Sequence, residues 1–365
     1  MDHRYTQRVS RIPATPALAR LRVQFPATTP PRVVLHRGTC GNAARADGEW
    51  HILRATLGGA LVEGTCDGAC WAAPAATVQR DGHQHRFANL GDTVPEELTR
   101  CLAGDCDDEY AGRGEFGILE RVGRQDGTLE DAIRRGAYAA LAHASVAGPE
   151  RTMDAIRNST YASRYPLPAI HEGARVTVIA ETDTPTTFID RHLLEGDPHR
   201  VLEGVLVACR AIGAPRASLT VGGQPGTARA AFESALAQAT RAGMLDGSAL
   251  GGATIDVEVT DATPGDSGLT VEAACALTTV FDRPPPPTRL IALSGAVPRP
   301  GVYEVPLGGA TTWTGVLAMA GVTPGLVPAL RVGGDIVPRD AFEDVVMPSA
   351  LGRGAVEVLA EGAEE

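Results

Sequence analysis

No run of apolar residues in this 365-residue chain approaches the roughly 20 needed to cross a bilayer, and its Arg-containing N-terminus has no continuous apolar stretch of the kind that exports a protein. Membrane insertion and a cleaved leader are therefore not expected. Positive charge is also in short supply: the formal net charge is -11, whereas phosphate backbones and anionic lipid surfaces attract clustered Lys and Arg. That balance disfavours nucleic acid and leaves proteins or small molecules as partners. Seven cysteines, an odd and unevenly placed set, argue against a disulfide framework and for the reducing cytoplasm. No internal repeat is evident, and no Ser-His-Asp or Cys-His nucleophile arrangement is suggested.

What the chain does hold is 44% hydrophobic residues, enough to bury substantial cores and fill two or three domains. Residues 1–28 carry Arg, Thr and Pro without sustained periodicity and read as an extended arm. From Arg32, VVLHRG reads as a strand, EWHILRATLGGALVEGTC as a helix then a strand, and AATVQRDGHQHRFANL as a hairpin around Asp81-Gly82. That order suits a small α/β domain over residues 29–105. Residues 106–168 open with an acidic, Gly-rich linker and continue into helices expected at 129–144 and 149–159, the second begun by Pro149-Glu150. Between 169 and 283, strands (RVTVIAE, SLTVG, TIDVEVTD) alternate with helices, the pattern of βαβ units on a mostly parallel sheet. Pro284 to Pro287 make a stiff spacer into residues 288–360, where short strands surround one helix near Trp313 to Ala320.

The most specific metal-type signal is Cys66-x3-Cys70 after a strand, followed by Ala72-Ala73-Pro74. Cys101 and Cys106 lie among Asp105, Asp107 and Asp108, whose charges disfavour a thiolate, so a linker is expected there. Cys209 and Cys275 sit in apolar helical patterns and read as core. The glycines of Gly112 to Gly117 precede a helix without a strand before them and read as linker; Gly222, Gly223 and Gly226 form a lone cluster after a strand and read as a turn.

Four segments together resemble a known family. Glu181 to Ala214 (ETDTPTTFIDRHLLEGDPHRVLEGVLVACRAIGA) is similar to a flavin-site run of the NADH-oxidising flavoprotein subunit of respiratory complex I and its relatives in NAD-linked hydrogenases and formate dehydrogenases, with Phe188, Asp190, Arg191, Asp197, Pro198, His199, Glu203 and Gly204 among the matches. Gly127 to Leu141 resembles the family's approach helix, Leu290 to Leu307 its β-grasp module of the SLBB type, and Gly64 to Val78 the second half of the thioredoxin-like ferredoxin domain often fused to it. The resemblance implies an α/β chain of three parts: thioredoxin-like, Rossmann-like with a parallel sheet, and β-grasp. His192 and His199 fall on scaffold positions of the matched run, where capping is expected rather than catalysis.

The cofactor-facing positions depart from the family. Its G-R-G-G-A-G-F loop corresponds here to Ser163-Arg164-Tyr165-Pro166-Leu167-Pro168-Ala169, where side chains and prolines replace the glycines and donors that phosphate requires. Its R-G-E-Y has become Gly222-Gly223-Gln224-Pro225, and its second Gly-rich stretch survives only as Asp266 to Ala273. FMN and NAD are therefore expected to be absent. In the ferredoxin-like segment the resemblance places Cys40, Cys66 and Cys70 at ligand positions of a 2Fe-2S cluster, with His36 where the missing cysteine would be. The alternatives are inert thiols or a structural zinc. The family's C-terminal four-cysteine domain is not expected. The implied function is a non-catalytic or electron-relay scaffold subunit that joins other iron-sulfur or flavin subunits in a dehydrogenase or hydrogenase complex. The alternatives are an FMN-dependent diaphorase and a small-ligand binder using the β-grasp part.

Overall fold

The computed structural model describes residues 15–25, 30–44, 46–80, 83–91, 93–105, 117–159, 165, 175–261, 268–281, 288–307, 311–347 and 350–360. Within the expected arm, helix α1 (Pro16–Val23) forms instead of extended chain. Thr15 caps it by accepting from Leu18 N, Pro16 opens its first turn, and Leu18 and Leu21 bury into the largest core. Residues 1–14 and 26–28 of the arm, the Asp81-Gly82 turn, the 106–116 linker and the Pro284 to Pro287 spacer lie outside the described residues.

The N-terminal unit is a four-stranded sheet in the order β2-β1-β3-β4. Strand β1 (Arg32–His36) runs parallel to β2 (Leu61–Gly64) and antiparallel to β3 (Ala76–Arg80), which pairs with β4 (His83–Phe87) as a hairpin. Helices α2 (Thr39–Ala43) and α3 (Ala46–Leu57) connect β1 to β2, and α4 (Glu96–Ala103) closes the unit. Every residue of β1 is buried, as a central strand covered on both faces requires.

Helices α5 (Leu129–Arg134) and α6 (Ala139–Asn158) follow. The helix expected over 129–144 is broken, because Gly136 and Tyr138 take positive φ between the two pieces. At the Gly148-Pro149 boundary the chain kinks without parting: Gly148 has φ +80, and helical hydrogen bonding resumes beyond it.

The central unit is an all-parallel sheet, β7-β6-β5-β8, made of β5 (Arg175–Ile179), β6 (Arg216–Thr220), β7 (Asp256–Thr260) and β8 (Leu269–Thr270). Helices α7 (Ile189–Gly196) and α8 (Pro198–Ile212) link β5 to β6, α9 (Gly226–Arg241) links β6 to β7, and α10 (Val271–Leu277) follows β8. The alternation read from sequence gives this crossover topology.

The C-terminal unit is a five-stranded sheet, β10-β9-β13-β11-β12, with one helix, α11 (Trp313–Met319). Its strands are β9 (Thr288–Gly295), β10 (Gly301–Pro306), β11 (Ala329–Val332), β12 (Asp335–Pro338) and β13 (Ala355–Val358). Strand β9 serves two cores at once: Leu290 and Ala292 join the core of the parallel sheet, while Ile291 and Leu293 join the core under α11. Alternate residues of a strand face opposite sides, so one strand fuses the two units.

Gly204 lets α8 meet α10. A Cβ there would lie 1.9 Å from Ala274 O, a backbone atom that cannot swing aside. Gly204→Ala is expected to cost on the order of 1–3 kcal/mol through overpacking, read as a lower melting temperature. Gly226→Ala, with open space around the added methyl, should leave it nearly unchanged.

Candidate functional site

The three cysteines separated by up to 30 positions converge at the end of the N-terminal sheet. Cys40 lies on α2, just past β1, while Cys66 and Cys70 bracket the loop that follows β2; all three are free, partly buried thiols. Asp67 shapes that loop by accepting from Ala69 N at 2.9 Å and pairing with Arg86 of β4 at 3.1 Å. Cys40 and Cys70 act on one another: Cys70, aided by the Arg191 cation and opposed by burial, draws the Cys40 thiol down to about 7, while Cys40 and burial together drive Cys70 up. Burial pushes Cys66 up, and its sulfur accepts from Gly68 N at 3.3 Å.

His36, expected as a fourth ligand, is engaged elsewhere. Its Nδ1 lies 3.0 Å from Thr65 O and its Nε2 2.7 Å from Thr77 Oγ1, in a buried position inside the sheet. The imidazole beside the cysteines is His192 of α7, whose Nδ1 is 3.9 Å from Cys66 Sγ. Its ring packs on Gly68, where a Cβ would come within 1.8 Å of His192 Cε1. Two further residues of α7 complete the contact. Arg191 pairs with Asp183 at 3.3 Å while its charge acts on Cys40 and Cys70. Glu195 accepts from Thr39 N at 3.0 Å and from the hydroxyls of Thr39 and Thr227 at 2.5 Å, so it caps α2 from another unit. Spacing could not have found these three, since His192 stands 126 residues from Cys66.

The remaining cysteines are structural. Cys101 is buried within α4 rather than beyond the last helix of its unit, and it is disulfide-bonded, one bridge where none was expected; Cys106 lies outside the described residues. Cys209 donates to Arg216 O at 3.8 Å, and Cys275 is fully enclosed in α10.

A second cleft opens at the carboxyl ends of the parallel strands, where open α/β sheets bind ligands. Its volume is about 200 Å³, and Tyr165, Glu181, Asp190, Glu272, Arg289 and Arg353 are among the residues that line it. Several of these side chains engage one another or nearby backbone. Glu272 accepts from Tyr165 Oη at 2.8 Å and Leu290 N at 3.0 Å and pairs with Arg289 at 3.4 Å. Arg353 of the C-terminal unit pairs with Glu181, and Gln224 donates to Glu181 O. Asp190 accepts from Glu181 N at 2.9 Å. The sequence has no lysine, so every side-chain cation available to a phosphate is a guanidinium or an imidazolium. The Gly222 to Gly226 stretch is a turn whose Gly223, at φ +80, leaves room for Thr182. Of the loop aligned with the family's phosphate cradle only Tyr165 is described; Pro166 and Pro168 lie outside, as do Asp266 and Ser267.

The DPHRVLEG segment between these two places is framework. Asp197 caps α8 at Arg200 N (3.1 Å) and is held by Arg121 through both oxygens, at 2.8 and 3.3 Å. Burial pushes this carboxyl up, but Arg121 and Arg200 outweigh burial and hold it below the usual range. His199 Nδ1 meets Tyr138 Oη at 2.8 Å, and burial lowers the ring to about 4, so it is neutral near pH 7. Glu203 accepts from Ala140 N at the start of α6.

Comparison with known proteins places these observations. Residues 165–269 match the Nuo51 FMN-binding domain family. Among curated relatives, the F subunit of NADH-quinone oxidoreductase from Aquifex aeolicus (strain VF5) is 27% identical, the match covering 36% of this chain and 33% of that one. The second F subunit of NADH-quinone oxidoreductase from Rhizobium meliloti (strain 1021) is 32% identical over 35% of this chain and 42% of its own. This chain thus spans less than half the length of either relative. Among solved structures, an NAD+-reducing [NiFe]-hydrogenase superposes with TM-scores of 0.52 in its H2-reduced state and 0.53 in its air-oxidized state. In both, 18% of residues are identical and the overlap covers 94% of this chain and 72% of that one. These superpositions share the fold. The Nuo51 match includes α7 and α8 but none of the three clustered cysteines.

Two outcomes follow from the buried charges. Arg121→Met removes the two-pronged partner of the buried Asp197 carboxylate, leaving it to Arg200 alone, and is expected to cost up to about 3–5 kcal/mol in denaturant unfolding. Arg157→Met, at an exposed pair with Asp154, should leave the curve in place. Asp190 is pushed by burial and by Glu272 from its ordinary 3.8 to about 8, so the folded state holds a proton that the unfolded state has released. Its contribution to stability is complete below pH 4, declines as pH rises and is gone above pH 8. The melting temperature should therefore fall across pH 4–8, and Asp190→Asn should flatten that slope.

Proposed function

We propose that this chain is a non-catalytic or electron-relay scaffold subunit of a multisubunit redox complex of the dehydrogenase or hydrogenase type, related to NADH-oxidising flavoprotein subunits but without FMN or NADH binding. The N-terminal unit is read as a thioredoxin-like ferredoxin domain over 29–105. The central unit, 169–283, is a degenerate FMN/NADH-type domain, and the C-terminal unit, 288–360, is an SLBB-type β-grasp domain. One observation carries this function: the strand ends where a flavin or dinucleotide would lie are filled by internal partners, with Arg353, Arg289 and Leu290 of the C-terminal unit closing on Glu181 and Glu272. A cleft of about 200 Å³ falls short of the 300–1,000 Å³ usual for ligand pockets. The framework around Asp197 remains complete, as a protein retained for its shape and contacts requires. The match to a Nuo51 domain and to NADH-quinone oxidoreductase relatives supports partners drawn from iron-sulfur or flavin subunits of such complexes. Cys40, Cys66 and Cys70 supply thiolate donors for a 2Fe-2S cluster, which would give this chain a relay role.

The test is direct. Protein purified from its native source should release no stoichiometric flavin on denaturation, show no NADH-ferricyanide activity and co-purify with a redox partner. Flavin near one per chain with NADH oxidation would establish the diaphorase instead, and a lone monomer at low salt would remove the scaffold role.

A further inference from the structure

We propose that His192, and not His36, completes the ligand set of a two-iron, two-sulfide cluster with Cys40, Cys66 and Cys70, so that the cluster is held jointly by the N-terminal unit and by α7 of the parallel-sheet unit. This inference rests on the proposal above that the chain carries a cluster, and it changes both the ligand and the place of the site in the fold.

Two of the donors are already paired in space, Cys66 Sγ lying 3.9 Å from His192 Nδ1; Cys40 and Cys70 are close enough for each to act on the other's titration. A two-iron cluster takes two protein ligands on each iron, and imidazole replaces thiolate on one iron in some such centres. A single ion would need its donors gathered around one point. Among the described residues no three His, Cys, Asp or Glu side chains are so grouped.

The surroundings fit as well. Gly68, at φ +68 between Cys66 and Cys70, leaves the volume that the His192 ring enters; any side chain there would strike the imidazole. Gly38 does the same on the other side of Cys66, where a Cβ would lie 3.0 Å from Cys66 Cβ and 2.7 Å from Glu195 Oε2. The Gly68 N–H already points at Cys66 Sγ, and Arg191 supplies a cation beside Cys40 and Cys70, both of which stabilise sulfur-borne negative charge. Neither ring nitrogen of His36 offers the same, because Thr65 and Thr77 engage them within the sheet.

The experiment uses the full chain purified without oxygen. Wild type, His192→Cys, His192→Ala and His36→Gln are compared by iron and sulfide analysis, circular dichroism, redox titration and pulsed EPR of the reduced protein. Wild type should carry about two irons and two sulfides and show the nitrogen coupling of a bound imidazole. His192→Cys should keep the iron, lose that coupling and take a lower reduction potential, His192→Ala should lose most of the iron while remaining folded, and His36→Gln should keep the coupling. Iron-bearing wild type without imidazole coupling, or coupling that survives in His192→Cys or disappears in His36→Gln, overturns the assignment of His192 and leaves the cluster standing. Folded wild type free of iron, or holding zinc alone, overturns the cluster and this inference together.

Discussion

The buried Asp197–Arg121 pair is the interaction on which the arrangement of the units depends. Asp197 ends α7, caps α8 and anchors Arg121 of the 117–122 segment. That segment is in turn bound to the C-terminal unit, where Glu304 accepts from Ile118 N and Leu119 N. On the other side Glu203 holds the start of α6 and Arg200 reaches Gly117 O. A buried ion pair of this kind contributes little net stability against an apolar replacement, because desolvation nearly cancels attraction. Its value lies in geometry: each carboxylate oxygen accepts from both Arg121 and Arg200, and the two come from separate stretches of chain.

Helix α7 has opposite duties on adjacent residues. Asp190 lines the cleft at the strand ends, while Arg191, His192 and Glu195 turn to the N-terminal unit. Successive helical residues point about a hundred degrees apart, so one short helix can serve a cleft and a cysteine cluster independently. The residues facing the cysteines do not depend on what fills the cleft.

Much of the fold is legible in the sequence, because period carries it. The buried run of β1, the hairpin of β3 and β4 and the strand-helix alternation of the central unit all appear where their patterns place them. Helix α1 was also signalled, by Thr15 before Pro16, but the surrounding Arg and Thr masked a short amphipathic turn that tertiary contact stabilises. The break before Tyr138 had no local sign: a non-glycine residue accepts φ +64 there while its hydroxyl meets His199 and its ring is wholly enclosed. At the site, spacing and resemblance identify the cysteines, whereas the histidine beside them is selected by the packing of two units. His36 satisfied a count of donors, yet a ring on a central strand finds partners across the sheet before it finds a metal.

The same packing decides what the N-terminal unit can do. Glu195 caps the helix that carries Cys40, and Gly38 admits that carboxylate only because it has no side chain. The Cys66 backbone N–H donates to Glu195 O, which ties the second cysteine to the same helix. Arg32, at the start of β1, is bound by Asp126 at 2.6 Å and Asp131 at 2.9 Å, so the far end of the same strand is clamped to α5 and its approach. A strand fixed at both ends by another unit cannot reorient its thiols without breaking buried hydrogen bonds, each of which leaves a desolvated group behind. The chemistry of the three cysteines is therefore a property of the docked pair of units, because the central unit supplies the cap, the cation and the backbone contact that hold their segments in place.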